Sequence, residues 1–207
     1  MANDTNYWGL RPVKHICGSP WNGLTEKCYV DNTSAAALYI GQPVCINGTA
    51  ADCDDTCLYT SVEAATLTAG YYIYGVITSF DSTIDMDDKY VKKPAATESW
   101  INVCTDPTVI YHIRDDGEGT VDNTWPSLNA GLTAAAADSA ITGLSGVGLD
   151  GSTPATTRNL QLHIVRLANL PDNAMSDNAV WEVLLNTSYM RGGAAETAVV
   201  GTFTGIA

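Results

Sequence analysis

The sequence predicts an all-β domain, on three observations. Apolar, aromatic and β-branched residues come in short runs, each closed by Gly, Pro, Asn or Asp. No segment sustains a 3.6-residue apolar period over the length of a helix, and nothing alternates with strands as a βαβ unit would require. Hydrophobic residues make up 45% of the chain and charged residues only 16%, alongside 18 Gly and 8 Pro, a turn-rich balance. Helix is therefore expected to stay below about 15%. A chain of 207 residues buries about 70% of its unfolded surface, enough for one self-sufficient core.

Residues 1–34 read as an extended N-terminal arm, because Gly9, Pro12, Gly18, Pro20 and Gly23 interrupt them too often for a helix or long strand. Tyr7, Trp8, Trp21 and Tyr29 are interleaved there with Arg11, Lys14, His15 and Lys27. In an acidic protein that makes a locally positive, aromatic segment, suited either to lying across another surface or to folding back onto its own core. Residues 35–207 form the all-β domain, with strands expected near 36–40, 43–46, 57–62, 71–80, 100–104, 108–114, 159–167 and 179–190. In the seventh of these Leu160, Leu162 and Ile164 contrast with Gln161, His163 and Arg166, so one face is buried and the other wet. Residues 115–156, with seven glycines and scattered Asp and Thr, read as a long loop-rich central excursion. Only Thr133-Ala-Ala-Ala-Ala-Asp138 within it invites a helical turn. No fixed-period repeat and no linker divides the chain.

Ten Lys and Arg face 23 Asp and Glu, a formal charge of −13. Such a chain repels a phosphate backbone, so nucleic acid is a poor partner. The opening residues have no basic stretch followed by an apolar one, and no run approaches 18 apolar residues. Neither export through a signal peptide nor a membrane span is expected.

Catalytic and ligand-binding motifs are sparse. His15, His112 and His163 are the only histidines; the last two alternate with apolar residues in strands, and His15 beside Cys17 has no geometry that joins them as a Cys/His pair. Gly143-Leu-Ser-Gly146 lacks the second glycine spacing of a nucleophile elbow. No dinucleotide or phosphate-loop fingerprint is present. Asp52-Cys-Asp54-Asp55 and Asp85-Met-Asp87-Asp88 gather oxygen ligands without the calcium-loop pattern. Cys17, Cys28, Cys45, Cys53, Cys57 and Cys104 read as free thiols by default, with Cys53 and Cys57 open to a disulfide or, less readily, zinc. No enzyme, cofactor or metal is expected.

Several short motifs are more telling together. Tyr7-Trp-Gly-Leu-Arg-Pro-Val13, then Gly18-Ser-Pro-Trp-Asn-Gly23 and Tyr29-Val-Asp31, resemble the opening of a family of tailed-bacteriophage head cement, or decoration, proteins. The family form is Phe-Gly-Leu/Phe-Arg-Pro-Val/Ile, then Gly-Ala-Pro with an Asn-Gly, then an aromatic-led strand. Further matches run in order through Ala37-Leu-Tyr-Ile-Gly-Gln-Pro-Val44, Gly75-Val76, Asp106-Pro-Thr-Val-Ile-Tyr-His-Ile113, Leu128-Asn129, Thr142-Gly-Leu-Ser-Gly146, Leu160-Gln-Leu-His-Ile164 and Pro171-Asp-Asn173. Trp8 stands where Phe is commoner, and six cysteines are not a family feature.

The resemblance implies a single β-barrel or jelly-roll-like sandwich without catalytic residues, on the exterior of the virion capsid after synthesis in the host cytoplasm. Its implied partners are the major capsid protein and further copies of itself, a trimer before a dimer. The expected capsid or subunit interface is the arm, with Trp8, Arg11, Pro12, Trp21 and Asn22 at the contact. The competing reading is a carbohydrate-binding or adhesion module, with Trp100, Trp125 and Trp181 as stacking candidates. Trp100 and Trp181 fall in expected strands and read as core, whereas Trp125 before Pro126 lies in the excursion.

Overall fold

A computed structural model describes residues 3–52, 58–81 and 92–191. Thirteen strands lie among them. In chain order they are β1 (Arg11–His15), β2 (Glu26–Val30), β3 (Leu38–Tyr39), β4 (Pro43–Asp52), β5 (Leu58–Ala64), β6 (Gly75–Phe80) and β7 (Lys92–Lys93). The rest are β8 (Ser99–Cys104), β9 (Val109–Arg114), β10 (Asn129–Ala134), β11 (Val147–Ala155), β12 (Leu162–Leu167) and β13 (Val180–Leu185). The one helical element among the described residues is a 3-10 turn, Tyr189–Arg191. The fold is all-β.

Five strands close into a barrel in the order β2-β5-β4-β6-β8, and six form an antiparallel sheet in the order β1-β9-β13-β12-β10-β11; β3 and β7 make a two-stranded ribbon. Strand alternation builds both cores. Cys28, Val30, Val44, Val62, Ile77, Ile101 and Val103 point into the barrel. Tyr111, Ile113, Leu162, Ile164, Trp181, Val183 and Leu185 line the inner face of the six-stranded sheet. Val76 and Cys104 sit opposite each other on β6 and β8 and turn outward from the barrel into that second core. The barrel wall is thus part of the sheet's packing.

All eight expected strands have counterparts, and five further strands appear. β1 and β2 lie within the segment read as an irregular arm. β1 pairs with β9, Arg11 opposite His112 and Pro12 opposite Tyr111, while β2 is a barrel strand paired with β8 and β5. Punctuation by Gly and Pro limits these strands to five residues each without preventing them. β10 and β11 occupy much of the expected excursion, and the alanine run ends β10 instead of starting a helix. Beyond it Asp138 accepts hydrogen bonds from Gly146 N at 2.7 Å and Ser145 Oγ at 3.1 Å.

Two glycines hold the N-terminal segment to the barrel. Gly9 and Gly41 both have positive φ, 72° and 85°, and their backbones cross so closely that a Cβ on either would run into the other strand. Leu10 N donates to Gly41 O at 2.8 Å and Gly41 N donates to Ile77 O at 2.8 Å. Next door, Ile40 N donates to Gly143 O at 2.8 Å and Ser145 N to Ile40 O at 2.9 Å. Segments far apart in sequence meet here through backbone contacts that only glycine permits.

Candidate functional site

The expected interface residues divide sharply by exposure. Trp8 lies with its ring 4.7 Å from the Arg114 guanidinium, and the indole nitrogens of Trp8 and Trp21 are both buried. Trp21 packs against the core of the six-stranded sheet. Pro12 is half-buried in β1, whereas Arg11 and Asn22 are exposed. Asn22 Oδ1 accepts from Leu24 N at 3.1 Å, shaping a loop in which Ile16 and Leu24 stand 59% and 65% exposed. The two tryptophans expected as anchors are half-buried with their indole nitrogens covered, and the most exposed apolar side chains of the segment are Ile16 and Leu24, which composition alone did not single out.

Arg114 explains why the first residues are held. Its Nε donates to Asn6 O at 3.0 Å, and Nη1 donates to Asn178 O at 2.7 Å and to Asp4 O. Tyr7 OH reaches Asp115 O at 3.0 Å and Asn178 Oδ1 at 2.9 Å. The Asn3 amide spans the 174–177 loop, donating to Ala174 O and Asp177 O at 3.0 Å each and accepting from Ala174 N at 2.9 Å. Asp115 is buried, and its carboxylate accepts from Asn178 N, Gly117 N and Trp181 Nε1. Burial pushes its pKa up despite these donors.

The outer face of the six-stranded sheet carries a charged row. Register places Arg11, His112, Glu182 and Arg166 side by side on β1, β9, β13 and β12. Glu182 is only 4% exposed and is met by Lys14 Nζ at 2.8 Å, Arg166 Nε at 2.8 Å and His112 Nε2 at 3.8 Å. Burial alone raises its pKa, but the hydrogen bonds and charges of Lys14 and Arg166 outweigh it and leave the carboxyl below its ordinary value. Burial also lowers the His112 pKa.

Both shifts have the same sign for stability. A depressed carboxylate contributes above its unfolded pKa and loses that contribution as pH falls through the folded one; a buried neutral His loses stability as acid charges it. Glu182→Gln is expected to cost about 1–2 kcal/mol at pH 7, modest because Arg166 is largely exposed. Urea titrations of both proteins from pH 7 downward should show this difference closing below roughly pH 4. A difference independent of pH would assign the loss to packing.

Among the described residues, several candidate nucleophiles and bases are engaged in structural contacts. His15 Nδ1 lies 3.3 Å from both Asp106 Oδ2 and Thr108 Oγ1, while Cys17 Sγ contacts Ser19 Oγ at 3.2 Å. Ser145, of the near-elbow motif, is buried against Asp138. Cys28 and Cys104 are free and buried, and burial raises the Cys28 pKa to about 12 and that of half-buried Cys45 to about 11. Such thiols are poor nucleophiles. Among the described residues no group of three or more His, Cys, Asp or Glu is placed to hold a metal. The Cys53–Cys57 and Asp85–Asp88 motifs lie outside the described residues, as does the side chain of Asp52.

The tryptophan assignments need correction. Trp125, a stacking candidate placed in the excursion, is buried and packs against Trp181 with ring centroids 5.1 Å apart. Trp181 is core, as expected. Trp100, expected in the core, lies half-buried on the outside of the barrel because Ile101 and Val103 take the inward positions of β8. Comparison with protein-family models, curated proteins and solved structures returns no match for this chain.

Proposed function

We propose that this chain is a structural protein of a tailed-bacteriophage head, made in the host cytoplasm and bound to the capsid exterior, where it cements major capsid protein subunits. The observation that carries the reading is the spatial meeting of the motifs on which the family resemblance rests. Gly9 of the Tyr7–Val13 motif crosses Gly41 of Ala37–Val44, Ile40 exchanges backbone bonds with Gly143 and Ser145 of Thr142–Gly146, and Pro12 pairs with Tyr111 of Asp106–Ile113. Residues that resemble a family pattern at scattered sequence positions share one structural framework. That coherence favours a common architecture over a chance collection of short words.

On this reading the barrel and the six-stranded sheet are together the family's single jelly-roll-like body, joined through Val76 and Cys104. Catalysis has no part in the role. A shell repeats its capsid protein many times, so a homo-oligomer, a trimer first and a dimer next, gains avidity of about 10²–10⁴ over one weak contact. Selective binding to the expanded shell stabilises that state by linkage. The docking element is the loop after β1, where Ile16, Asn22 and Leu24 are exposed, together with exposed Arg11 at the start of that strand.

Co-sedimentation with expanded and unexpanded heads from the phage that encodes the chain tests the proposal. Preferential binding to expanded heads is expected. Ile16→Ser with Leu24→Ser should reduce it at least about tenfold, or 1.4 kcal/mol, without changing thermal unfolding. Failure of the folded wild-type protein to bind expanded heads would refute the cement role; full binding by the double variant would move the docking surface elsewhere.

A further inference from the structure

Three aromatic rings share the outer wall of the barrel. Inward-facing Cys28 and Val30 leave Lys27 and Tyr29 outside on β2, and the same alternation puts Trp100 and Asn102 outside on β8 and Tyr59 outside on β5. Tyr29 is directly opposite Trp100 in the antiparallel register and opposite Ser61 in the parallel one. The Trp100 ring crosses β2, with centroids 5.2 Å from Tyr29 and 4.9 Å from Tyr59, both edge-on at 63° and 77°. Each of the three side chains is only half-buried.

Polar groups rim the rings. Tyr29 OH donates to Glu98 Oε2 at 2.8 Å, Lys27 Nζ stands 4.8 Å over Trp100 and pairs with Asp81 at 2.7 Å, and Asn102 Nδ2 donates to Ser79 Oγ at 3.0 Å. The three half-buried rings thus have both donors and acceptors around them, with Lys27 over the ring of Trp100. Aromatic rings grouped at a surface inside a polar rim have the composition of a binding patch.

The ligand chemistry follows from this combination. Pyranose rings present apolar C–H faces that pack on aromatic rings, and equatorial hydroxyls that both donate and accept at the edge. Nucleobases also stack, but their phosphates would meet Asp81 and Glu98 on a chain of charge −13. Sulfated or uronic-acid sugars meet the same repulsion. We propose that Tyr29, Tyr59 and Trp100, with Glu98 and Asn102 at their edge, form a binding site for a neutral pyranose glycan. The proposal does not rest on the cement reading.

The test is titration of the isolated protein with cellohexaose, maltohexaose and chitohexaose, followed by tryptophan fluorescence and calorimetry. At least one is expected to bind with a Kd of about 1 mM or tighter. Trp100→Ala and Tyr59→Ala should weaken that binding at least about tenfold, and Arg11→Ala, on the other sheet, should leave it unchanged. Glu98→Gln alters an exposed side chain and keeps the test decisive if Trp100→Ala does not fold; it should weaken binding about threefold or more. The proposal is overturned if none of the three oligosaccharides binds, if binding survives Tyr59→Ala and Glu98→Gln unchanged, or if dextran sulfate outcompetes all three. Head binding is read separately, so loss of one activity does not bear on the other.

Discussion

Gly41→Ala is expected to destabilise the protein by about 2–5 kcal/mol, one of the largest effects available from a single added methyl group. Two costs combine. A residue other than glycine at φ 85° pays about 1–2 kcal/mol for its Cβ. The new Cβ would also overlap Trp8 O, a backbone atom that has no rotamer through which to move away, and forced overpacking adds about 1–3 kcal/mol. Gly9→Ala meets Gly41 O in the reciprocal way and should behave alike.

Gly18→Ala and Gly23→Ala separate the two costs. Both glycines have positive φ, 90° and 81°, yet nothing stands within 4 Å of a Cβ added at either. They should lose only the conformational part, about 1–2 kcal/mol. At about 2–4 °C per kcal/mol for a domain of this size, the melting temperature of Gly41→Ala should fall by roughly 10 °C and those of the loop variants by a few degrees. Equal losses at Gly41 and Gly18 would mean that the crossing relaxes and does not clamp the N-terminal segment.

The same crossing shows which parts of the fold were legible in the sequence. Runs such as Thr108–Arg114 and Leu160–Leu167 declare themselves because β-branched and aromatic residues alternate or cluster over enough positions. β10 and β11 do not. Their sequences, Asn129-Ala-Gly-Leu-Thr-Ala134 and Val147-Gly-Leu-Asp-Gly-Ser-Thr-Pro-Ala155, are poor in strand-favouring residues and rich in glycine. The reason is tertiary. A Cβ on Gly148 would lie 2.7 Å from Ala135 Cβ and 3.2 Å from Tyr7 Cε1, and one on Gly151 would strike Glu118 O. Small residues are used there because other backbone lies against the strand, and glycine carries the same letter in a loop.

The candidate sites show the same mixture. Trp100 could be placed in a strand from sequence, whereas Tyr29 fell in the segment read as an arm; which face of β8 turns inward depends on barrel closure, and Ile101 and Val103 win the inward positions. Trp125 before Pro126 looked like a loop residue and is one, yet its ring fills the core beside Trp181. Local pattern identifies a segment's type more readily than it identifies where a large side chain goes. The Glu182 row was harder still, since its members come from four strands that only register brings together.

Removal of residues 1–23 is the change for which sequence and structure give opposite expectations. Read as an arm, the segment could be lost with little effect on the remaining domain. Its contacts argue for collapse. Leu10 is 1% exposed in the core, a side chain whose loss typically costs 2–5 kcal/mol. Deletion would leave the Arg114 guanidinium with only one of its three backbone acceptors, Asn178 O, and hydrogen bonds to a charged group are worth about 1.5–3 kcal/mol each. It would also strip β1 from β9, remove the Lys14 partner of Glu182 and empty the place where Trp21 packs. Together these reach about 10 kcal/mol, comparable with the whole stability of an ordinary domain. The 24–207 fragment should therefore lack a cooperative thermal transition by circular dichroism and show little amide-exchange protection in β9 and β13. A fragment melting within a few degrees of the full chain would return the segment to the status of an appendage. Because deletion is expected to destroy the fold, any loss of capsid binding that it causes says nothing about docking; that question belongs to Arg11, Ile16, Asn22 and Leu24, which can be changed on the surface of a folded protein.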